Sequence, residues 1–136
     1  MIIKNNETNS FLKQTSVAVI GTTNSDGTPH LAPIWFTWEG NKAYMFTSRH
    51  SIKWRNIQQK PQATLCIDRR DPPYSYIILY GLVTEIDVQL YQLVKPMAIR
   101  YYGDDKGKDF AETFRDNPSF VAFTLNPYHI VENLEL

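Results

Sequence analysis

Short segments rich in β-branched and aromatic residues recur along the chain, and most are separated by turn-forming residues. The segment 16–24 leads into the sequence NSDG at 24–27, which favours a tight turn, and the segment 30–38 follows. A second turn with the sequence EGN at 39–41 leads into the segment 42–48. The N-terminal third of the chain therefore predicts an antiparallel meander.

Further strands are predicted at 62–68, 76–87, 120–125 and 129–134, with a bend or bulge where Gly81 interrupts the second of them. Helices are predicted at 7–14, 51–60, 87–102 and 110–115, with a polar loop at 104–108. The third follows from the helical spacing of its apolar residues, and the second lies between an N-cap at Ser51 and Pro61. Pro96 is expected to kink or divide the third helix, and Gly103 to end it. Strands and helices do not alternate regularly, which argues against a doubly wound parallel sheet. We predict a mainly β fold, an antiparallel barrel of six to seven strands with two or three short helices between them.

Length and charge limit the classes of function. The 136 residues fit a single domain spanning 1–136, and 14 basic against 14 acidic side chains give no net charge. We therefore expect no broad attraction to nucleic acid or to an anionic membrane. The N-terminus lacks the apolar core of a signal peptide, and no apolar run approaches the roughly 18 residues of a membrane span. The single cysteine, Cys66, cannot form an internal disulfide and is expected to be a buried structural thiol, so we expect a cytoplasmic protein.

The junction between the predicted strand 42–48 and the helix after it has the residues of a phosphate site. Thr47 and Ser48 offer hydroxyl groups, Ser51 stands where an N-cap belongs, and Lys53 lies in the first helical turn. The unpaired N–H groups and the positive dipole end of a helix favour an anion at this position. The same residues also fit an ordinary capped helix with a solvated lysine, and the junction alone leaves both interpretations open.

Motifs of self-sufficient catalysis are missing from the sequence. There is no dinucleotide-binding glycine motif, no phosphate-binding Walker loop, no zinc-protease motif and no nucleophile elbow. His30, His50 and His129 lie far apart without metal-ligand spacing, so no metal site is predicted. His30 could assist proton transfer, but a structural role is the stronger interpretation. A cofactor that carries the reactive chemistry explains these features better than a catalytic side chain does.

Several motifs occur together in a characteristic order. They are NSDGTP at 24–29, HLAPIWF at 30–36, TS at 47–48, SIK at 51–53 and RNI at 55–57. In this order and spacing the chain resembles the pyridoxamine 5′-phosphate oxidase-like, flavin-binding split-barrel superfamily. Within it, the chain is most similar to the small flavin- or deazaflavin-dependent oxidoreductases. The resemblance covers residues from about 11 to 129.

The resemblance implies a split β-barrel that forms homodimers with two equivalent cofactor sites at the subunit interface. The residues it implies for the cofactor phosphate are Thr47, Ser48, Ser51 and Lys53, with Asn56 as a helper. The residues it implies for the isoalloxazine ring are Ala32, Pro33, Ile34 and Trp35. It also implies that Tyr74 and Tyr76 reach the ring, from their own or the partner subunit, although core or dimer packing is an equal alternative for both.

The activity that the resemblance implies is hydride transfer at N5 of a bound flavin, to or from a small organic substrate, with no catalytic side chain. FMN is the expected cofactor, and a 5-deazaflavin coenzyme is the alternative. The competing interpretation is a non-catalytic split barrel that binds flavin or haem for storage or sensing, or a dimeric interaction module. Many relatives carry an arginine where this chain has Ile52, and Arg49 or Arg55 is a candidate substitute. Trp54 is expected to pack beneath the basic helix.

Overall fold

The computed structural model of the chain describes residues 6–14 and 17–134. Seven strands and four helices occur in this part. In chain order they are α1 (Asn6–Gln14), β1 (Val17–Thr23), β2 (Pro29–Trp35), β3 (Thr37–Glu39), β4 (Lys42–Ser48), α2 (Ile52–Gln59), β5 (Gln62–Arg69), β6 (Ser75–Ile86), α3 (Leu90–Tyr102), α4 (Asp104–Glu112) and β7 (Phe120–Asn133). The mainly β prediction is confirmed, and the expected strand start at Ser16 lies outside the described residues. None of the described helices has the length and apolar character needed to cross a membrane.

The seven strands form one antiparallel sheet in the order β2-β1-β5-β6-β7-β4-β3. The predicted meander is wrong in one respect, because the segment 30–38 is two strands that lie at opposite edges of the sheet. β2 ends at Trp35 on one edge, β3 begins at Thr37 on the other, and only the fully buried Phe36 lies between them. The sheet must therefore curl until its edges meet at this residue, which gives the half-barrel.

Alternate residues of the strands fill the barrel interior, as the period of two requires. Completely buried examples are Ile20, Met45, Leu65, Leu79 and Phe123. Helix α2 closes one side of this core, since Trp54 is 3% exposed and its ring lies 5.5 Å from the ring of Phe123. The prediction that Trp54 packs beneath the helix is confirmed.

The pairing of β6 with β7 contains the irregularity that Gly81 predicted. The register shifts between Tyr80 and Gly81, and a Cβ at 81 would lie 2.5 Å from the carbonyl oxygen of Asn126. The bulge allows β7 to continue through Pro127, which pairs with Gly81. The prediction of two separate closing strands is wrong for this reason.

Helices α3 and α4 form a hairpin against the outer side of the barrel. Pro96 does not divide α3, and Gly103, with φ of 91°, ends it as predicted. The predicted polar loop at 104–108 is the first part of α4, which packs closely on α3 at Gly107. The predicted helix 110–115 is largely replaced by turns after Glu112. A second apolar cluster, separate from the barrel core, holds the hairpin; its buried members are Val94, Ala98, Ala111 and Phe114.

Candidate functional site

A cavity of about 480 Å³ lies where β2, the end of β4, the start of α2 and the α3–α4 hairpin meet. Its two ends differ in chemistry, one carrying hydroxyl groups and an amine, the other aromatic rings. The lining residues are Val17, Pro33, Ile34, Trp35, Phe46, Thr47, Ser48, Ser51, Lys53, Tyr101, Phe110 and Phe120. Seven of the predicted cofactor-binding residues are therefore brought together: Pro33, Ile34, Trp35, Thr47, Ser48, Ser51 and Lys53.

The hydroxyl end is organised by hydrogen bonds between β4 and α2. Ser51 is the N-cap of α2, because its Oγ accepts from the backbone N–H of Trp54 at 3.2 Å. The same Oγ accepts from Oγ1 of Thr47 at 3.2 Å and donates to the carbonyl of Ser48 at 2.8 Å. The backbone N–H of His50 donates to Oγ of Ser48 at 3.1 Å. Three hydroxyl groups are thus held side by side at the N-terminus of a helix.

Among the described residues that line the cavity, Lys53 alone carries a charge. Its side chain is half-buried, and no carboxylate of the described residues lies within salt-bridge distance of it. Burial lowers the pKa of its amino group below 10.5, because the charged form loses hydration. A partly desolvated cation without a counter-ion gains free energy when an anion binds beside it.

The two arginines considered as substitutes at position 52 point elsewhere. Nε of Arg49 donates to the carbonyl of Pro118 at 3.2 Å, and its guanidinium lies 3.6 Å from the carboxylate of Glu85. Arg55 is exposed and follows Lys53 by two residues, so it lies on a different side of α2. Neither arginine lines the cavity.

The aromatic end of the cavity is centred on Trp35. Its ring lies 5.2 Å from Tyr101 and 5.5 Å from Phe110, both from the hairpin, and 6.4 Å from Phe46 of β4. Sequence reasoning placed Tyr101 in the apolar stripe of a helix but did not connect it with the site. Nothing local could have connected them, because the hairpin reaches Trp35 only through tertiary packing.

Four predicted residues do not line this cavity. Ala32 packs against the barrel core, and the buried amide of Asn56 donates to Oγ1 of Thr22 at 3.1 Å and to Oδ1 of Asn24 at 2.9 Å. The rings of Tyr74 and Tyr76 lie 5.9 Å apart, away from the cavity of their own chain. Cofactor contacts of these four residues stay predictions.

Other reactive side chains lie outside the cavity. Cys66 is half-buried rather than fully buried as expected; this partial loss of hydration and the nearby charge of Asp68 raise the pKa of its thiol, so it is a poor nucleophile. His30 lies on β2 but does not line the cavity. Within 6–14 and 17–134, no group of three or more histidine, cysteine or acidic residues is placed to hold a metal ion.

One protein-family model matches this chain, and several solved structures have a similar fold. The sequence model named pyridoxamine 5′-phosphate oxidase matches residues 5–132, whereas no curated protein matches the chain significantly. A conserved hypothetical protein from Mycobacterium tuberculosis superposes with a TM-score of 0.80 at 17% identity, covering 97% of this chain and 85% of the other. An F420 reductase superposes with a TM-score of 0.73 at 22% identity, covering 96% of this chain and 98% of the other. A haem storage protein from Vibrio cholerae superposes with a TM-score of 0.73 at 13% identity, covering 96% of this chain and 94% of the other.

Proposed function

The chain belongs to the pyridoxamine 5′-phosphate oxidase family, and from this premise we propose that it is a flavin-dependent oxidoreductase. FMN, or a 5-deazaflavin coenzyme, binds with its phosphate at the hydroxyl end of the cavity and its ring along β2. When bound, the cofactor supplies hydride transfer at position 5 of its ring, which is N5 in FMN and C5 in a 5-deazaflavin, to or from a small organic substrate. The residues of the chain anchor the cofactor and exclude water from it.

The observation that carries this proposal is the unpaired, half-buried Lys53 beside the hydroxyl group of Ser48 and the N-terminus of α2, where Thr47 and Ser51 donate their own hydroxyl hydrogens within the cluster. Phosphate oxygens accept hydrogen bonds from hydroxyl, ammonium and helix N-terminal N–H groups, and all three kinds of donor meet here. The hydroxyl hydrogen of Ser48 has no acceptor among the described residues, so it is available to a ligand. The donor set fits a phosphate group.

The aromatic end fits a planar ring for a separate reason. Pro33, Ile34 and Trp35 present a strand edge and an indole, and the hairpin adds Tyr101 and Phe110, whose rings pack directly against that indole. Such a wall offers stacking and dispersion contacts while keeping water away. A cavity of about 480 Å³ with Lys53 and these rings on its wall therefore suits a phosphate joined to a tricycle.

Flavin is favoured over haem by the chemistry of the wall. The lining residues include no histidine, cysteine or methionine, which are the commonest axial ligands of haem iron, and their one tyrosine, Tyr101, is exposed with its ring packed on Trp35. The haem storage protein with a similar fold therefore supports the architecture and not the ligand.

A homodimer is part of the proposal. Val17, Val19 and Leu31 on the outer face of β1 and β2 are 37%, 36% and 67% exposed, which is an apolar surface that no described helix covers. A second copy seated there would cover it and bring Tyr74 and Tyr76 toward the partner's cofactor.

The test is titration of the protein with FMN, followed by flavin absorbance and fluorescence. We expect Lys53→Ala to weaken FMN binding about 10- to 100-fold, the value of one charge-assisted hydrogen bond, and to leave riboflavin binding unchanged. Lys60→Ala, an exposed lysine at the other end of α2, is the matched control. Equal FMN affinity in the Lys53→Ala variant, or no flavin binding by the natural protein, would contradict the proposal. Oxidoreductase activity further requires that a nicotinamide donor reduces the bound flavin and an organic acceptor reoxidises it.

A further inference from the structure

A groove of about 670 Å³ adjoins the cofactor cavity and shares Val17 and Pro33 with it. Its lining residues from α1, β1 and β2 carry no charge and are mostly apolar, and they include Phe11 and Val19. Its charged residues lie at 68–71, at the end of β5 and in the loop that follows. Because Pro33 is one of the residues proposed to contact the cofactor ring, a ligand in this groove would lie beside that ring.

The groove contains two arginines, and among the described residues only Arg70 has a carboxylate partner. Its Nε lies 3.0 Å from Oδ2 of Asp68, so these two charges compensate each other. Nε and Nη2 of Arg69 donate to the neutral carbonyl of Pro73 at 3.4 and 3.3 Å, and no described carboxylate lies within salt-bridge distance of it. The Nη1 group of Arg69 has no acceptor among the described residues and is available to a ligand.

Arg69 is held in place although it lacks a counter-ion. The residue is half-buried, and its guanidinium carbon lies 5.9 Å from the ring centroid of Phe11, which is buried. This cation–π contact and the bonds to Pro73 fix the guanidinium at the groove. A guanidinium that is already ordered and partly desolvated binds a carboxylate favourably, because little side-chain entropy remains to be lost.

One acidic side chain of the groove also lacks a partner. Asp71 is exposed in the loop after β5, and no described cation lies within salt-bridge distance of it. Water and salt screen an exposed charge more strongly than a half-buried one. The charge that the groove favours in a ligand is therefore determined by Arg69, and that charge is negative.

We propose that the substrate of this protein is an organic acid with an apolar body, whose carboxylate pairs with Arg69 while the body lies on Val17, Val19 and Pro33 beside the cofactor ring. The inference rests on the proposed function, because it takes the cofactor to occupy the adjoining cavity. Lys53 then serves the cofactor phosphate and Arg69 the substrate carboxylate. The apolar lining contributes affinity, and the arginine selects the charge.

The experiment uses the full chain in its own oligomeric state, loaded with oxidised FMN and without a reductant, so that binding is measured without turnover. Calorimetry with trans-cinnamate and with cinnamamide compares an anion with a neutral ligand of nearly the same shape. We expect cinnamate to bind at least about 10-fold more tightly than the amide. Cinnamate should also perturb the visible absorbance of the bound flavin, because the groove and the cavity share a wall.

Variants of the charged residues test the assignment to Arg69. Arg69→Gln should weaken cinnamate binding about 10- to 30-fold and leave cinnamamide binding within about 2-fold. Arg69→Lys keeps the charge without the planar fork and should lose about 3-fold. Arg70→Gln removes the same charge from the same groove and is the matched control, with an expected loss of less than about 2-fold. Asp71→Asn should leave cinnamate binding unchanged or tighten it.

Three outcomes would overturn the inference. The first is absent cinnamate binding, or binding no tighter than that of the amide, as expected if a second copy seated on Val17 and Val19 fills the groove. The second is an equal loss of cinnamate affinity in Arg69→Gln and Arg70→Gln, and the third is cinnamate binding that leaves the flavin absorbance unchanged. If Arg69→Gln does not fold, the comparison of the two ligands and the Arg69→Lys variant still decide.

Failure of the proposed function is distinguished from failure of this inference by flavin absorbance, which shows whether FMN is loaded in each sample. If FMN does not load, Arg69-dependent cinnamate binding by the unloaded protein still supports a carboxylate site in the groove. Absence of that binding removes the site.

Discussion

Replacement of Asn56 by alanine separates a structural role of this residue from a role in phosphate binding. The side chain is 1% exposed, and its two amide hydrogens are directed to Oγ1 of Thr22 and Oδ1 of Asn24. These bonds connect α2 to the end of β1 and the turn that follows. An amide used in this way has no N–H left for a phosphate.

The expected loss of stability follows from the two lost hydrogen bonds and from the cavity that the missing side chain leaves. Each bond contributes about 1 kcal/mol, and the unsatisfied hydroxyl of Thr22, which is 4% exposed, adds a desolvation cost. We expect Asn56→Ala to lower the free energy of unfolding by about 2–4 kcal/mol. For 136 residues the entropy of unfolding is about 0.3 kcal/mol/K, so Tm should fall by about 7–14 °C.

The assay is thermal and urea denaturation without flavin, since a bound ligand would stabilise the folded state by itself. Gln58→Ala, an exposed polar-to-alanine change on the same helix, is the control and should shift stability by less than about 0.5 kcal/mol. FMN affinity of Asn56→Ala, measured well below its Tm, should stay within about twofold of the natural protein. A large loss of FMN affinity with little loss of stability would refute the structural role and support the phosphate-helper prediction.

Two further predictions concern the cavity and its hairpin. FMN affinity should fall as pH rises through the pKa of Lys53, which burial places below 10.5, because the protonated amine is the form that attracts phosphate. Riboflavin, measured over the same pH range, corrects for titration of the ring. Parallel pH curves for FMN and riboflavin would contradict the assignment of Lys53 to the phosphate. Gly107→Ala should lower stability by about 1–3 kcal/mol, because its Cβ would lie 2.5 Å from the backbone nitrogen of Ile99 and force α4 away from α3. Denaturation measures this loss, and Lys108→Ala, an exposed change on the same helix, is the control. Unchanged stability in Gly107→Ala would show that α3 and α4 are not in tight contact at this glycine.

Features that depend on neighbouring residues were predictable from the sequence. The turn after β1 forms as the sequence NSDG indicates, since Oδ1 of Asp26 accepts from the backbone N–H of Thr28 at 3.0 Å and Gly27 has φ of 88°. The N-cap of α2 follows from Ser51 in the same way. The hydroxyl end of the candidate site was therefore visible in the sequence.

Features that depend on distant contacts were not predictable. The separation of β2 from β3 at Phe36 follows from closure of the half-barrel, which no local pattern encodes. The segment 104–108 resembles a loop because it is polar and contains Gly107, yet that glycine is buried against α3 and allows the two helices to pack. For the same reason the prediction from sequence contained Pro33, Ile34 and Trp35 of the aromatic end but not Tyr101 and Phe110, which the hairpin contributes.

The edge strand β2 contains Pro29 and Pro33 among its seven residues. Neither proline has an N–H group, so β2 lacks two of the donors that the carbonyl groups of an additional strand along this edge would need. The opposite edge, β3, is only three residues long. The protein is thereby protected against joining its copies into one continuous ribbon, the step that leads to fibrous aggregates. For the proposed dimer this favours contact through the outer face of the sheet, where side chains meet and the main chain of each molecule keeps its own hydrogen bonds.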